Sequence, residues 1–339
     1  MLRRRGLVAL AVASSLALAG CAGGQSTVVD DSVVGVGLDV PYTGAGPAAP
    51  EATAADLAVA AATLAGFSYQ DADGRSVADP SFGTIEVVGE DPFTVRYTVA
   101  DGLAWSDGVG IDGVDLLLDW AVREQPAGAS SVTLSPDRKS LAIAFSSPPE
   151  DWEAAFRAPL PAHAIAARAF DSRTPEVAKD AVIAAVDGAR AGEGSDLAEL
   201  AAAWSAAFSL DGPPPPASGP YRIDSAAPDL VELVVNAGYA GPRRPSYERV
   251  ELHALPSAAA AVQALVVREL DVVQVAWSEE LRTALTRIGA DRGEVGAGGA
   301  PERLVGWFRR TVDHVDPAPG DLGALWNMWG WAPYQLPEL

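Results

Sequence analysis

The stretch from Phe93 to Trp120 constrains the fold of this chain more than any other. Residues 93–99 alternate β-branched and aromatic side chains with other residues, a pattern that predicts a half-buried strand. Turn residues rich in Asp and Gly follow, and Trp105 stands among them as a large apolar anchor. Asp112 then predicts a helix N-cap, and Asp115 adds negative charge to the first helical turn. The stretch therefore predicts a strand, a turn pinned to the core and a helix.

Several motifs follow one another in a fixed order along the chain. The turn reads ADGLAWSDG over 100–108, and it is followed by SGPYRI over 218–223, NAGY over 236–239, YERVEL over 247–252 and ELDV over 269–272. In these motifs and in this order the chain resembles the extracellular solute-binding protein family 5, which serves oligopeptide, dipeptide and nickel importers. The residues that carry the motifs, which we expect to be structural, are Trp105, Asp107, Gly108, Gly219, Tyr221, Asn236 and Tyr239.

The turn departs from the family pattern at two positions. Members usually carry Pro and Thr after the SDG triplet, whereas this chain has Gly110 and Asp112. The order of the motifs over about two hundred residues still makes a chance match improbable, so we identify the chain as a family member by resemblance.

The body of the chain alternates helical and strand patterns, which indicates an α/β domain with a mixed sheet. The resemblance implies a periplasmic-binding-protein-like lobe whose mixed sheet is flanked by helices. The predicted strands cover 33–40, 131–134, 140–145, 221–223, 230–235, 250–255 and 271–275, and the predicted helices cover 54–64, 161–170, 175–190, 196–208, 256–270 and 278–288.

The family's second lobe has little room in this sequence. In the family it follows the segment that here reads RELD, residues 268–271, and the chain returns to the first lobe only near its end. Fewer than fifty residues separate Val275 from LWNMWGW, residues 325–331, which resembles the family's terminal segment. We therefore expect the second lobe to be reduced or largely absent.

The N-terminus has the layout of an exported lipoprotein. Arg3–Arg5 form a positive region, residues 7–17 form an apolar run too short to span a bilayer, and LAGC over 18–21 forms a cleavage site. We predict a lipoprotein signal peptide over 1–20 and lipidation of Cys21, since acyl chains can anchor a protein to a membrane. An ordinary signal peptide with an incidental cysteine is the alternative.

The domain boundaries follow from this layout. We predict a lipidated tether over 21–32, because its residues are small and polar, and a family 5 solute-binding-like domain over 33–339, best matched over 83–275. Cys21 is the chain's single cysteine, which excludes an internal disulfide. The formal net charge of −21 makes nucleic acid a poor partner, so no nucleic-acid binding is expected.

Three aromatic residues are candidate ligand contacts. The resemblance implies that the segment after the first strand helps to line the ligand cleft, which makes Tyr42 a candidate; the alternative is an exposed loop tyrosine. Phe67 and Tyr69 could also face the cleft, with core packing as the alternative for at least one of them. In the first strand, Gly35 and Gly37 indicate a close approach by another backbone or a ligand.

Other chemistry finds little support in the sequence. Residues 108–113 spell G-x-G-x-x-G, but the preceding strand ends at Val99, too early for a dinucleotide fingerprint. His163, His253 and His314 are too scattered to predict a metal cluster. Since neither a nucleophile elbow nor a phosphate loop occurs, we predict no enzyme, no catalytic residue, no metal and no cofactor.

The resemblance implies a function in uptake. The expected protein is a lipid-anchored substrate-binding component of an ABC importer for peptides or similar small solutes, on the extracytoplasmic face of the cell membrane. Its partners would be a small-molecule or peptide ligand, the ABC permease subunits and the membrane through the lipid anchor. The alternative is a one-lobed exported lipoprotein that keeps the scaffold as an interaction module or decayed relative, without tight solute binding.

Overall fold

The computed structural model describes residues 28–276, except 48, 71–75, 124–127, 150–151, 153–158 and 268, together with two later strands at 293–298 and 305–310. The strands are β1 Val29–Leu38, β2 Ser68–Gln70, β3 Ser76–Ala78, β4 Gly83–Glu90, β5 Phe93–Val99, β6 Ala129–Leu134, β7 Ser140–Phe145, β8 Tyr221–Ala226, β9 Leu230–Val235, β10 Tyr247–Ala254, β11 Val272–Ala276, β12 Gly293–Gly298 and β13 Val305–Arg310. The helices are α1 Ala54–Thr63, α2 Gly113–Val122, α3 Ala162–Phe170, α4 Pro175–Arg190, α5 Ser195–Ser205 and α6 Ala258–Val266.

Seven strands form a mixed sheet, called the large sheet below. Their order is β12-β13-β11-β1-β10-β9-β8, and β1 pairs in parallel with both β10 and β11 while the other pairs are antiparallel. Val36 in β1, Val250 in β10 and Val59 in α1 are fully buried members of one core cluster. The predicted α/β lobe with a mixed sheet is confirmed.

The close approach expected at the β1 glycines is made by the protein's own side chains. A Cβ at Gly37 would lie 2.4 Å from Leu255 and 2.8 Å from Leu270, and one at Gly35 would lie 3.0 Å from Leu270. Because the other face of β1 packs on its own core, the last five residues of the strand are all buried. The glycines thus make room for Leu255 and Leu270.

A second, four-stranded sheet, the small sheet, has the antiparallel order β4-β5-β7-β6. Helix α2 packs on this sheet, and helices α3, α4 and α5 pack around α2. Tyr97, Leu118 and Phe145 are fully buried in the core between them, and so are Val182 and Leu200 of the surrounding helices. The alanine-rich helices are therefore an integral part of this core.

Helix α2 begins as the sequence predicts. The Asp112 side chain accepts a hydrogen bond from the Val114 N–H at 2.9 Å, and Asp115 accepts one from the Asp112 N–H at 2.8 Å, which together form a capping box. The predicted strand over 93–99 is present with the same bounds. Cap hydrogen bonds and side-chain alternation are sufficient to predict these two elements, because both depend on only a few neighbouring residues.

Some predicted boundaries change. Strand β1 begins at Val29, which is paired with Tyr247, so the last four residues of the predicted tether belong to the large sheet. The predicted helix over 196–208 ends at Ser205, and its last three residues form a turn. The predicted helix over 278–288 and the segment 325–331 lie outside the described residues, as do the signal peptide, Cys21 and His314.

Candidate functional site

Three parallel strands end at one edge of the large sheet. Leu38, the last residue of β1, is in register with Ala254 at the end of β10 and with Gln274 in β11. The Leu255 N–H donates a 2.6 Å hydrogen bond to the Leu38 carbonyl, so the pairing continues to the edge. In open α/β sheets, ligands bind outside the carboxyl ends of the strands. The carboxyl edge, formed by residues 38–44 and 254–257, is therefore the candidate site.

The loop that leaves β1 at the carboxyl edge is held by the buried carboxylate of Asp56. Its Oδ1 accepts hydrogen bonds from the Thr43 and Gly44 N–H groups, both at 2.9 Å, and its Oδ2 accepts one from the Thr53 N–H at 2.8 Å. Thr53 and Asp56 also form the capping box of α1, in the T-x-x-D spacing that could have revealed this role in the sequence. The loop is thereby fixed against the helix.

Tyr42 lies in this loop but does not present its ring to solvent. Only 3% of its surface is exposed, its N–H bonds the Pro228 carbonyl at 3.1 Å, and its hydroxyl donates to the Phe208 carbonyl at 3.3 Å. Burial, assisted by the charge of Asp56, raises the pKa of the Tyr42 hydroxyl. The alternative of an exposed loop tyrosine is wrong, because the ring packs into the core of the large sheet; a ligand contact of Tyr42 stays a prediction.

The other two aromatic candidates lie elsewhere. Phe67 is 2% exposed and packs edge-on against two rings, with its centroid 5.2 Å from that of Phe82 and 5.9 Å from that of Tyr97. Core packing, the alternative given for this residue, is therefore what the structure shows. Tyr69 lies in β2, in register with Val77, and is half-buried. The structure therefore does not bring the three candidates together, and a ligand contact stays a prediction for Tyr69.

The motif turn packs as predicted. Trp105 is 1% exposed, and the Gly102 and Gly108 backbones adopt φ angles of +82° and +88°, which favour glycine. Asp107 binds the ring of His163 on α3, with Oδ2 and Nε2 2.8 Å apart, and the His163 ring centroid lies 6.4 Å from that of Trp105. The turn thus joins the end of β5 to α3.

Asn236 and Gly219 bond each other beside the C-terminal end of α1. The Asn236 amide donates to the Gly219 carbonyl at 2.9 Å, and its Oδ1 accepts from the Gly238 N–H at 3.1 Å. Gly219 lies so close to the end of α1 that a Cβ there would be 2.7 Å from the Ala62 carbonyl oxygen. Gly219 thus permits close packing against α1, and Asn236 holds the neighbouring backbone by hydrogen bonds, so both motif residues have a structural role.

The remaining motif residues also pack internally. The Tyr221 hydroxyl donates to the Tyr247 carbonyl at 3.0 Å, and burial raises its pKa. Tyr239 is half-buried, and its N–H bonds the Asn236 carbonyl at 3.0 Å. The motifs thus mainly brace the scaffold that presents the carboxyl edge.

A buried ion cluster, which the sequence analysis missed, holds α4 against the start of α2. The Lys179 ammonium lies 2.9 Å from Asp115 and 3.0 Å from Asp112, and it donates to the Gly110 carbonyl at 2.8 Å. Asp115 is fully buried, which raises its pKa, while the charge of Lys179 acts in the opposite direction. The chain has only two lysines, and this rarity was the one feature of the sequence that could have drawn attention to Lys179.

The structure also bears on dinucleotide binding, metal binding and membrane spanning. Two carboxylates, Asp112 and Asp115, occupy the N-terminus of α2, where a dinucleotide site would need free N–H groups for the pyrophosphate. Among the described residues no three His, Cys, Asp or Glu side chains are grouped so as to hold a metal ion. No helix in that part of the chain is long and apolar enough to cross a membrane.

A protein-family model matches residues 80–296, a range that begins just before β4 and ends within β12. It describes the middle part of bacterial extracellular solute-binding proteins, family 5. The range includes the motif turn, the Gly219 and Asn236 motifs and two of the three strands that end at the carboxyl edge.

Curated relatives share the sequence over part of their length. The chain is 41% identical over 121 residues to an uncharacterized lipoprotein of Mycobacterium leprae, an alignment that covers 35% of this chain and 20% of that protein. It is 28% identical over 250 residues to an uncharacterized lipoprotein of Mycobacterium tuberculosis, covering 64% of this chain and 41% of the relative. The chain thus spans less than half the length of these relatives.

Solved structures share the fold at low identity. The periplasmic EDTA-binding protein EppA superposes with a TM-score of 0.58 at 17% identity, covering 78% of this chain and 48% of EppA. The oligopeptide-binding protein AppA of Bacillus subtilis, in complex with a nonapeptide, gives a TM-score of 0.53 at 13% identity with the same two coverages. The chain spans about half of each of these proteins.

Proposed function

We propose that this chain, which belongs to the bacterial extracellular solute-binding proteins of family 5, is a lipid-anchored binding component of an ABC importer and binds its solute at the carboxyl edge. The observation that carries the proposal is the common edge of β1, β10 and β11, within a fold shared with solute-binding proteins. It performs no chemistry, since its task is to bind and deliver.

The carboxyl edge suits a solute that is recognised through backbone groups. The exposed polar side chains there are those of Thr43 and Ser257, while Asp39 is half-buried. His253, one residue before the end of β10, is about one-third exposed, and its Nε2 is 3.2 Å from a carboxylate oxygen of Glu251. We take peptides or similar small solutes as the ligand class, since few charged groups at the edge are free to select a strongly charged molecule.

The location and partners follow from the N-terminal segment and the family. Relatives that are named lipoproteins support an extracytoplasmic protein held by a lipid on Cys21, with ABC permease subunits as the receiving partners. The strongly acidic chain has no attraction to an anionic membrane surface, so the lipid would supply the anchorage.

A second candidate function is an interaction module without tight solute binding. The burial of Tyr42 and Phe67 favours it, because two of the three aromatic rings expected to contact a ligand are used for packing. A site with a single wall would leave one face of the ligand in water and could not close on it.

Calorimetry of the full chain against a library of di- to pentapeptides tests the two functions. A one-walled site should bind weakly, with dissociation constants of roughly 0.1 mM or worse, which corresponds to about 5.5 kcal/mol or less. The matched variant is Thr43→Arg, which places a long charged side chain on the carboxyl edge and should abolish that binding. If no peptide binds at any accessible concentration, the interaction module is the better description; micromolar binding would mean that a second wall is rebuilt.

A further inference from the structure

We propose that the outer edge of β4 is a docking site for an extended, basic segment of a partner protein, which adds a strand to the small sheet. Within the part of the chain that the structure describes, β4 and β6 are the two edge strands of this sheet. An edge strand presents N–H and C=O groups that its one neighbour does not pair. The edge belongs to the small sheet and not to the carboxyl edge, so the proposal does not depend on the proposed solute site.

The backbone of β4 has pairing groups to offer. The strand spans Gly83–Glu90, and none of its residues exchanges a backbone hydrogen bond with any described element other than β5. The opposite edge of the sheet differs, because the Val132 carbonyl of β6 accepts a 2.8 Å hydrogen bond from the Arg190 guanidinium on α4. Of the two edges, β4 is therefore the one that can accept a further strand.

The core-facing side of the small sheet continues onto β4. Ile85 is in register with Tyr97 and Val87 with Val95, and both of these β5 residues are fully buried. Val87 is nevertheless 45% exposed, because it lies at the margin of the sheet, and Val88, where the pairing register shifts, is 40% exposed. A partner strand with apolar side chains on this face would bury Val87 and extend the core.

The charge of β4 selects the partner. Glu86 and Glu90 are exposed, and neither forms an ion pair within the described residues, although Arg96 of β5 is in register with Glu86. Opposite charges that face each other across a strand pair stabilise the pair, whereas like charges destabilise it. The partner strand should therefore carry Lys or Arg on the face of Glu86 and apolar residues on the other face.

A second copy of this chain is a poor occupant of the edge. Pairing two β4 strands would place the acidic residues Glu86 and Glu90 of one copy close to those of the other. The net charge of −21 adds repulsion between the two copies. A basic segment that alternates apolar and charged residues meets both requirements of the edge, so it is the occupant that we propose.

Fluorescence anisotropy with a labelled synthetic peptide tests the site on the full chain at physiological ionic strength. The probe alternates lysine with valine, and it should bind saturably. The control probe has the same sequence with a methyl group on every backbone nitrogen, so it keeps the charge but lacks the N–H donors. Because strand addition depends on these donors, the control probe should bind roughly tenfold more weakly or worse.

A matched pair of variants locates the binding. Val87→Lys places a cation on the edge and should abolish binding of the lysine–valine probe, since edge lysines oppose strand addition. Val177→Lys on α4 makes the same change of charge at a side chain that is 55% exposed, and it should bind as the unmodified chain does.

Amide hydrogen exchange of the unmodified chain gives a second measurement that needs no variant. The probe should slow exchange in residues 83–87 and leave residues 129–134 of β6 unchanged. Equal binding of the two probes, undiminished binding to Val87→Lys, unslowed exchange in residues 83–87, or no saturable binding would each overturn the proposal. Dimerisation of the unmodified chain that Val87→Lys abolishes would also overturn it, because the edge would then belong to a second copy.

Discussion

The ammonium group of Lys179 lies 2.9 Å from the fully buried carboxylate of Asp115, and this contact joins helix α4 to the first turn of α2. The same carboxylate accepts a 2.9 Å hydrogen bond from the Ala162 N–H at the start of α3. One side chain thus fixes three helices around the small sheet. Since the motif turn immediately precedes α2, the ion cluster also determines where that turn lies.

Replacing Lys179 should destabilise the fold strongly. Lys179→Met leaves the buried carboxylate unpaired, which should cost about 3 to 5 kcal/mol of unfolding free energy. The chain's other lysine is the matched control: Lys139 pairs with Asp101 on the surface, and Lys139→Met should leave stability unchanged within error. Urea unfolding of both variants measures the difference, and equal stability of the two would show that the buried cluster contributes nothing.

Trp105→Ala should destabilise the protein through lost packing. The indole ring is 1% exposed, and its Nε1 makes no hydrogen bond within the described residues, so the cost is that of a large apolar cavity, about 3 to 5 kcal/mol. Val177→Ala, at a side chain in α4 that is 55% exposed, is the control and should stay within about half a kcal/mol. Denaturant unfolding that gives a loss below about 1 kcal/mol for Trp105→Ala would contradict the packing role.

Asp119 should make stability depend on pH. Burial raises its pKa to about 7, although Arg123 opposes the shift, whereas an unfolded aspartate titrates near about 3.9. Between these values the folded state holds a proton that the unfolded state has lost. The contribution is therefore fully present below about pH 4 and is lost as the pH rises through about 7, at up to about 1.4 kcal/mol per pH unit.

Comparison of variants isolates this group from the other titrating residues. Asp119→Asn should flatten the decline in stability between pH 5 and 8, whereas Asp187→Asn, an exposed aspartate that pairs with Arg190 on α4, should retain it. Urea unfolding at several pH values provides the measurement. Parallel pH profiles of Asp119→Asn and the unmodified chain would show that Asp119 does not titrate in this range.

Cys21→Ala should leave the protein either unprocessed or released from the membrane. Without the thiol, the N-terminal segment can be neither lipidated nor held by acyl chains, which contribute about 0.8 kcal/mol per buried CH₂. Fractionation and mass spectrometry after expression in a bacterial host with lipoprotein processing give the readout, and Ser26→Ala in the tether should behave as the unmodified chain does. Unchanged membrane retention and mass of Cys21→Ala would rule out the anchor.

The sequence by itself determined the local structure and the family. The strand at 93–99, the N-cap at Asp112 and the burial of Trp105 were predicted correctly because side-chain alternation, cap hydrogen bonds and glycine turns act within a few residues. The order of the motifs was enough to identify the scaffold, since those residues make its internal packing and hydrogen bonds.

Only the tertiary structure decided which side chains are buried and what they contact. The Tyr42 ring is buried in the core of the large sheet, where its hydroxyl bonds the distant Phe208 carbonyl, and Lys179 meets Asp115 only when α4 packs on α2. Burial and ion pairing depend on long-range contacts, because they are properties of the surroundings that the fold assembles and not of the residues that precede and follow in the chain.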